Sequence, residues 1–489
     1  MEMLPDDVLL EIFHFYVDQA WYEDGGVDRK EVMEAWQALV HVCQRWRSVV
    51  FGSPRRLNLR LLCTASTRAG DTVDVWPALP LVIRDHRCRT GSVDNIVALL
   101  KRSDLVRRII RIILSDVPGS QLEDISEVMQ VPFPELTHLV LNRSDELDSR
   151  PVLPIHSWVH GARRSPSNLY DETKPVLPFP DSFLCGSAPR LRSLNFDGIP
   201  YPGLPKLLLS ATHLTELHLT SVPQSGYISP EAMVACISTL TSLEWLSLGF
   251  RSSQPHPDQE SQHPPPLIRT SLPVLDRFWF KGAGEYLEYL MARIDAPRLR
   301  RLDITLFNDI VFVTPQLTRF ISHIPTLGAI DKASVDLWYN TASIELSSVH
   351  AELNLSISCK ELDWQLSFLE QVCTSSLPPL STLEVLYMEG RPWPQDWKDN
   401  IDYAQWLELL SSFTAAKNIY LSKGLAPCVV PALQELVGGR TTAVFPTLQN
   451  IFLEEIRPGP VQEAIRKLVA ARQVTSHPIT VFRWDRGSN

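Results

Sequence analysis

What this sequence lacks narrows its function sharply. No run of 18 consecutive apolar residues occurs in its 489 positions, so no membrane-spanning helix is expected. The opening residues, Met1-Glu2-Met3-Leu4-Pro5-Asp6-Asp7, have neither a basic start nor an apolar centre, so no secretory signal is expected. The eight cysteines are scattered without a C-x-x-C pair, unlike a zinc site or a disulfide framework. They suit reduced, mostly buried thiols of an intracellular protein, cytoplasmic or nuclear. Positive charge is also short: the net charge is −10, whereas proteins that track nucleic-acid phosphates carry a basic stripe. The run from Arg84 to Arg111 is locally basic but diluted by Asp85, Asp94 and Asp104; it reads as a solvated face, with a partner-facing role as the alternative. No G-x-S-x-G, H-E-x-x-H or P-loop is present. Gly282-Ala283-Gly284 has a dinucleotide-site setting, but Leu287 stands where a third glycine would be. His156, His160, His256 and His263 have no cysteine or carboxylate partners at ligand spacing. The expectation is therefore no enzyme, no cofactor and no metal.

What is present is a repeat. Leu299-Arg300-Arg301-Leu302-Asp303-Ile304 has the form apolar, two variable residues, apolar, one variable residue, apolar. The form returns at Leu136/Leu139/Leu141, Leu191/Leu194/Phe196, Leu214/Leu217/Leu219, Leu243/Leu246/Leu248 and Leu275/Phe278/Phe280. It recurs at Leu383/Leu386/Met388, Ala416/Ile419/Leu421 and Leu448/Ile451/Leu453. Most neighbouring copies lie about 23–33 residues apart, the spacing of stacked-repeat architectures. Helical i, i+3, i+4 patterns fill the gaps at 231–237, 286–294, 316–324, 362–372, 403–410, 431–437 and 461–471. The expected fold is α/β, a parallel sheet of short strands backed by helices. Residues near Val335/Leu337 and Leu353/Leu355/Ile357 alternate simply and suggest a local antiparallel pair.

The N-terminus is different. Asp6 and Asp7 complement a helix start, and Val8, Leu9, Ile12, Phe13 and Tyr16 give one apolar stripe. A polar segment from Asp18 to Lys30 follows, then helix from Glu31 to Phe51, stopped by Ser53-Pro54. So small a unit buries little by itself, and its apolar surface suits a covering partner.

Leu4-Pro5, Leu9 and Ile12-Phe13, followed by Val42-Cys43-Gln44-Arg45-Trp46-Arg47, resemble the F-box. The stretch Asp18–Val32 between the two halves is longer than that pattern has. The ladder resembles irregular leucine-rich repeats, although the asparagine usual after the strand is mostly missing. Together they resemble the F-box-like, leucine-rich-repeat proteins of mushroom-forming fungi. Gly226-Tyr227-Ile228-Ser229-Pro230-Glu231-Ala232-Met233, Leu362-Asp363-Trp364-Gln365 and Gln434-Glu435-Leu436-Val437-Gly438-Gly439-Arg440 are stretches shared with that group.

The resemblance implies an F-box helical domain at 1–54 and a repeat solenoid at 55–489, with proline-rich inserts near 142–181 and 251–270. It implies docking on the Skp-type adaptor of a cullin–RING ubiquitin ligase through Leu4, Pro5, Val8, Leu9, Ile12, Phe13, Val42 and Trp46. The repeats would then hold a target protein. The alternative is a repeat scaffold whose F-box has degenerated. Strand alternation sends the variable rung residues to the face opposite the leucines. On that face Trp245, Arg277, Trp279, Arg301, Asp303, Tyr387, Tyr420 and Phe452 are the candidate target-binding set, since aromatics and arginines dominate binding hot spots. The alternative there is a second small core covered by the chain's own loops.

Overall fold

The computed structural model describes residues 4–22, 35–67, 73–86, 88, 93–144, 178–252, 269–307, 314–328, 330–378, 380–390, 403–435, 445–454, 459–474 and 478–485. The chain forms two compact units, residues 1–162 with 167–228, and residues 163–166 with 229–489. Most of the two inserts, including all four histidines singled out above, lies outside the described residues.

The first unit begins with helices α1 (Asp6–Tyr22), α2 (Ala35–Val40) and α3 (Gln44–Gly52). Two details differ from the sequence reading. Helix α1 runs on to Tyr22, past the expected end of its apolar stripe. The helix expected over 31–51 is broken between α2 and α3, because Cys43 is extended (φ −159°, ψ 168°) and its Sγ caps α3 by accepting from the Trp46 N–H at 3.5 Å. A side-chain acceptor at that position satisfies one of the otherwise orphaned donors of a helix start.

Among the described residues six strands follow, each parallel to the next within this unit: β1 (Leu61–Cys63), β2 (Leu81–Asp85), β3 (Ile109–Val117), β4 (His138–Arg143), β5 (Ser193–Asp197) and β6 (Glu216–Val222). Helices α4 (Asp94–Leu100), α5 (Ser103–Val106), α6 (Gly119–Val128) and α7 (Leu204–Ser210) lie between them in sequence.

The second unit contains α8 (Pro230–Ile237), β7 (Trp245–Phe250), β8 (Thr270–Ser271), β9 (Arg277–Gly282), α9 (Gly284–Arg293), β10 (Ile294–Asp295), β11 (Arg301–Phe307) and α10 (Pro315–Ser322). It continues with β12 (Lys332–Trp338), β13 (Thr341–Ser347), β14 (Glu352–Ser358), α11 (Leu362–Gln371), β15 (Val385–Gly390) and α12 (Tyr403–Ser411). It ends with β16 (Asn418–Leu421), α13 (Ala426–Glu435), β17 (Asn450–Leu453), α14 (Pro460–Val474) and β18 (Thr480–Arg483). The main sheet runs β7-β9-β11-β14-β13-β12-β15-β16-β17-β18, with β8 and β10 forming a separate parallel pair. Among the described strands of the main sheet, only the middle departs from the parallel ladder. There β12, β13 and β14 form an antiparallel meander, and β14 returns to pair with β11 while β12 pairs with β15. The two stretches expected to form an antiparallel pair, now β12 and β14, do not pair with each other: each is antiparallel to β13 between them, a strand the sequence reading missed.

Every rung is buried as its spacing requires: all three apolar positions of each are at most 4% exposed. Each rung also starts in the same way. The N–H of its first apolar residue donates to the carbonyl three residues back, at 3.0–3.3 Å, from Leu136 to Phe133 through to Leu448 to Phe445. The acceptor residues, Phe133, Ala188, Ala211, Leu240, Leu272, Ala296, Leu380, Phe413 and Phe445, are themselves buried and apolar. A tight turn therefore lies before each strand, and the repeat is longer than the three positions first read. Helix α13 starts five residues before the expected 431, so Pro431 sits inside it. No helix among the described residues is long and apolar enough to cross a membrane.

Candidate functional site

Helix α1 has two apolar faces, and only one is used internally. Leu9, Leu10, Phe13 and Val17 are buried, and Phe13 packs on Trp46 at a ring distance of 4.7 Å. The other side turns Leu4 (39% exposed), Val8 (42%), Ile12 (48%), Phe15 (66%) and Tyr16 (47%) to solvent, with Val42 (55%) exposed on the turn before α3. Residues four apart share a helix face, so 4, 8, 12 and 16 form one stripe. Pro5 is exposed and caps the helix start, its carbonyl accepting from the N–H groups of Val8 and Leu9 at 3.1 Å.

Arg45 couples the two halves of this surface. Its guanidinium holds Asp6 Oδ1 through Nε (3.1 Å) and Nη2 (2.7 Å), and Nη2 also donates to the Leu4 carbonyl. This ties the Leu4-Pro5 opening of α1 to the first turn of α3, just beyond Val42. Arg47 Nε reaches the Val40 carbonyl at 3.0 Å, and Arg56 pairs with Glu11. The inner side is anchored by Trp36, whose Nε1 donates to the Arg60 carbonyl at 3.1 Å and whose ring meets Phe51 and Trp76 edge-on. Of the eight residues named from sequence, Leu4, Pro5, Val8, Ile12 and Val42 are exposed, Leu9 and Phe13 belong to the module's own core, and Trp46 lies between. Phe15 and the Asp6–Arg45 tie were missed, and Tyr16, read as part of the apolar stripe, was left out of the docking set. The spacing of 15 and 16 from 8 and 12 was a signal for them; nothing local links Asp6 to Arg45.

The second candidate surface is in the second unit. Parallel register aligns Trp245, Arg277, Arg301 and Glu352 in one row, and Ser247, Trp279, Asp303 and Asn354 in the next. Through the meander the latter row continues as Glu345, Ser334, Tyr387, Tyr420, Phe452 and Phe482. All the residues named from sequence here thus fall on two adjacent rows of one face. The five aromatics among them are half-buried. At one end the Arg277 guanidinium stacks over Trp245 at 5.0 Å and lies 3.5 Å from Asp276, Arg301 pairs with Glu352 at 3.0 Å, and Asn354 donates to Asp303 at 3.3 Å. At the other end the rings form a stack: Tyr387 on Tyr420 (4.5 Å, 17°), Tyr420 on Phe452 (4.3 Å, 7°) and Phe452 on Phe482 (5.1 Å, 19°). Neighbouring strands are separated by about the same distance, so identical register enforces face-to-face rings. Burial raises the pKa of both tyrosines above the ordinary phenol value, keeping them neutral. Trp484 meets Tyr420 edge-on at 5.4 Å, so the chain's own C-terminal segment packs on part of the stack. Phe482, in β18, and Trp484, just after it, were missed by the sequence reading because neither falls within a rung of the repeat.

Both surfaces offer apolar and aromatic area with guanidinium edges, the chemistry of non-covalent contact with another macromolecule. No protein-family model matches this chain, and no curated protein matches it. Among solved structures it is similar to the leucine-rich repeat-containing protein LegL7 from Legionella pneumophila. That likeness has 12% identity, spans 84% of this chain and 97% of the other, and has a TM-score of 0.26, which is a loose likeness only.

Proposed function

We propose that this protein is a substrate-recognition adaptor of a Skp–cullin–F-box-type ubiquitin ligase. One observation carries the reading: a small helical module whose core is already filled by Leu9, Phe13, Trp36 and Val50 still turns Leu4, Val8, Ile12, Phe15, Tyr16 and Val42 outward. An apolar stripe of this kind on a soluble domain marks an interaction site. The F-box resemblance of the same residues names the occupant, a Skp-type adaptor. In this reading the ladder is an irregular leucine-rich-repeat solenoid, and Trp245, Arg277, Trp279, Arg301, Asp303, Tyr387, Tyr420 and Phe452 form the surface for a target protein. The chain makes and breaks no covalent bond; it works by tethering, which raises the effective concentration of target near the ligase. It acts in the cytoplasm or nucleus, without cofactor or metal.

A repeat scaffold with a degenerate F-box is the second reading. It is favoured by the burial of Leu9 and Phe13, which leaves two motif residues with a purely internal role. Affinity purification of tagged protein with mass spectrometry separates the two. Recovery of a Skp-type adaptor and a cullin, lost in a Val8→Glu/Val42→Glu double variant, supports the ligase adaptor. Recovery of other partners with no adaptor, unchanged by the double variant, supports the scaffold.

A further inference from the structure

The ring stack of the second unit is selective in what it can contact. Tyr420 is covered on both faces, by Tyr387 at 4.5 Å and by Phe452 at 4.3 Å, and Phe452 is covered again by Phe482 at 5.1 Å. The two inner rings therefore have no free face, and what they offer outward is their edges. Phe482, 43% exposed, closes the row on the last strand of the sheet.

Trp484 adds a donor. It follows Phe482 by two residues and so shares its face. Its backbone N–H donates to the Leu453 carbonyl at 2.7 Å, which fixes the segment. Its indole reaches back beside Tyr420 (5.4 Å) and Tyr387 (6.2 Å), two and three strands away. Trp484 is only 9% exposed, and among the described residues its buried Nε1–H has no acceptor. A buried donor without an acceptor is costly, which points to an oxygen supplied by a ligand. Burial first, and then the charge of Glu389 at Tyr387, keeps the phenols of Tyr387 and Tyr420 protonated and able to donate.

These features select a ligand class. An aromatic ring is negative on its faces and positive at its edges, so covered faces leave no seat for a cation and the edges favour acceptor oxygens. The negative charge of Glu389 at Tyr387 opposes an anion. What remains is a neutral segment rich in carbonyls and poor in N–H groups. Proline supplies that, since it lacks a backbone N–H and the polyproline II helix has no internal hydrogen bonds. The spacing agrees: alternate strands lie about 9.5 Å apart, and polyproline II repeats every three residues, about 9.3 Å. We propose that Tyr387, Tyr420, Phe452, Phe482 and Trp484 bind a proline-rich segment of the target in the polyproline II conformation. The segment runs across the strands, with the Trp484 indole N–H on one of its carbonyls. Aromatic-lined surfaces are a recurring seat for such segments. The inference rests on the reading of this face as the target surface and names the target's chemistry.

The test titrates the full chain by calorimetry with diproline, hexaproline, decaproline, a Gly-Ser decapeptide, decaglutamate and cellohexaose. The four-ring row spans about 14 Å, which about five residues of polyproline II cover. Hexaproline and decaproline are therefore expected to bind saturably, within about threefold of each other, and the other probes not to bind. Trp484→Phe keeps a ring, removes the N–H and weakens decaproline binding at least fivefold. Phe482→Ser, at an exposed position, weakens it at least threefold and reads the site independently if Trp484→Phe fails to fold. Trp364→Phe, on α11, leaves it unchanged. Absence of saturable decaproline binding, unchanged affinity in either folded variant, or tighter binding of decaglutamate or cellohexaose overturns the proposal. Binding of purified Skp-type adaptor is measured on the same preparation. Adaptor binding without decaproline binding overturns this inference alone; decaproline binding without adaptor binding supports this inference and overturns only the ligase reading.

Discussion

Adjacent residues on α1 are expected to respond oppositely to the same truncation. Phe13 is 0% exposed and packs on Trp46, whereas Ile12 is 48% exposed on the opposite side. Phe13→Ala removes a filled core ring, a change that typically costs about 3–5 kcal/mol. Ile12→Ala leaves no cavity and raises helix propensity, so its cost stays within about 0.5 kcal/mol. Amide hydrogen exchange over residues 6–17 reads both changes locally, because exchange through local opening follows the opening free energy. At about 1.4 kcal/mol per decade, Phe13→Ala accelerates exchange by roughly two to four orders of magnitude, and Ile12→Ala by less than about threefold. For a partner seated on the stripe the order changes. Burying the exposed half of Ile12 gains about 1 kcal/mol, so Ile12→Ala weakens association roughly fivefold while the module stays folded. Equal exchange rates in the two variants, or Ile12→Ala opening the helix as far as Phe13→Ala, would refute the division into an inner and an outer face.

Tyr420→Ala removes a ring stacked on both sides, at 4.5 and 4.3 Å, and is expected to cost about 1–3 kcal/mol at roughly 0.5–1.5 per pair, read by urea denaturation. Tyr420→Phe keeps the stack and should cost far less. Gly226→Ala would put its Cβ 2.6 Å from the Pro200 Cα, a backbone atom, and is expected to destabilise the first unit by about 1–3 kcal/mol in the same measurement. His138 titrates near pH 4 in the folded chain, below its ordinary 6.5. Between these values the unfolded chain binds the extra proton, so stability is full above pH 6.5 and falls as pH drops towards 4. His138→Gln is expected to flatten that part of the stability–pH curve; an unchanged slope would assign the loss to other groups.

The ladder was legible because each rung carries its own pattern: Leu299, Leu302 and Ile304 are buried by spacing alone, without reference to distant residues. The turn that opens each rung was missed because its marker is only one more apolar residue, such as Ala296 or Leu272, in a chain already rich in them. Strand β13 was missed for a different reason. Its pairing with β12 and β14 is antiparallel and lacks the repeat spacing, so only contact across the sheet defines it. The candidate surfaces were half legible. Periodicity placed Val8 and Ile12 on the same helix as Leu9 and Phe13, but a helix apolar on both sides does not say which side faces in. The packing of Trp46 on Phe13 and the tie from Arg45 to Asp6 decide that, and both link residues more than 30 positions apart. The Trp279–Asp303 and Tyr387–Phe452 groups were correctly assigned to one strand face, while the continuation to Phe482 and Trp484 required the register of the last strand.

The central claim is that the outward stripe of the N-terminal helices is a seat for a Skp-type adaptor. The most direct measurement is the dissociation constant of the full-length chain and purified adaptor, compared with that of Ile12→Glu. The expected result is saturable one-to-one association in the wild type and at least a hundredfold loss in Ile12→Glu, with the melting midpoint unchanged. No association in the wild type, or the same affinity in the variant, would contradict it.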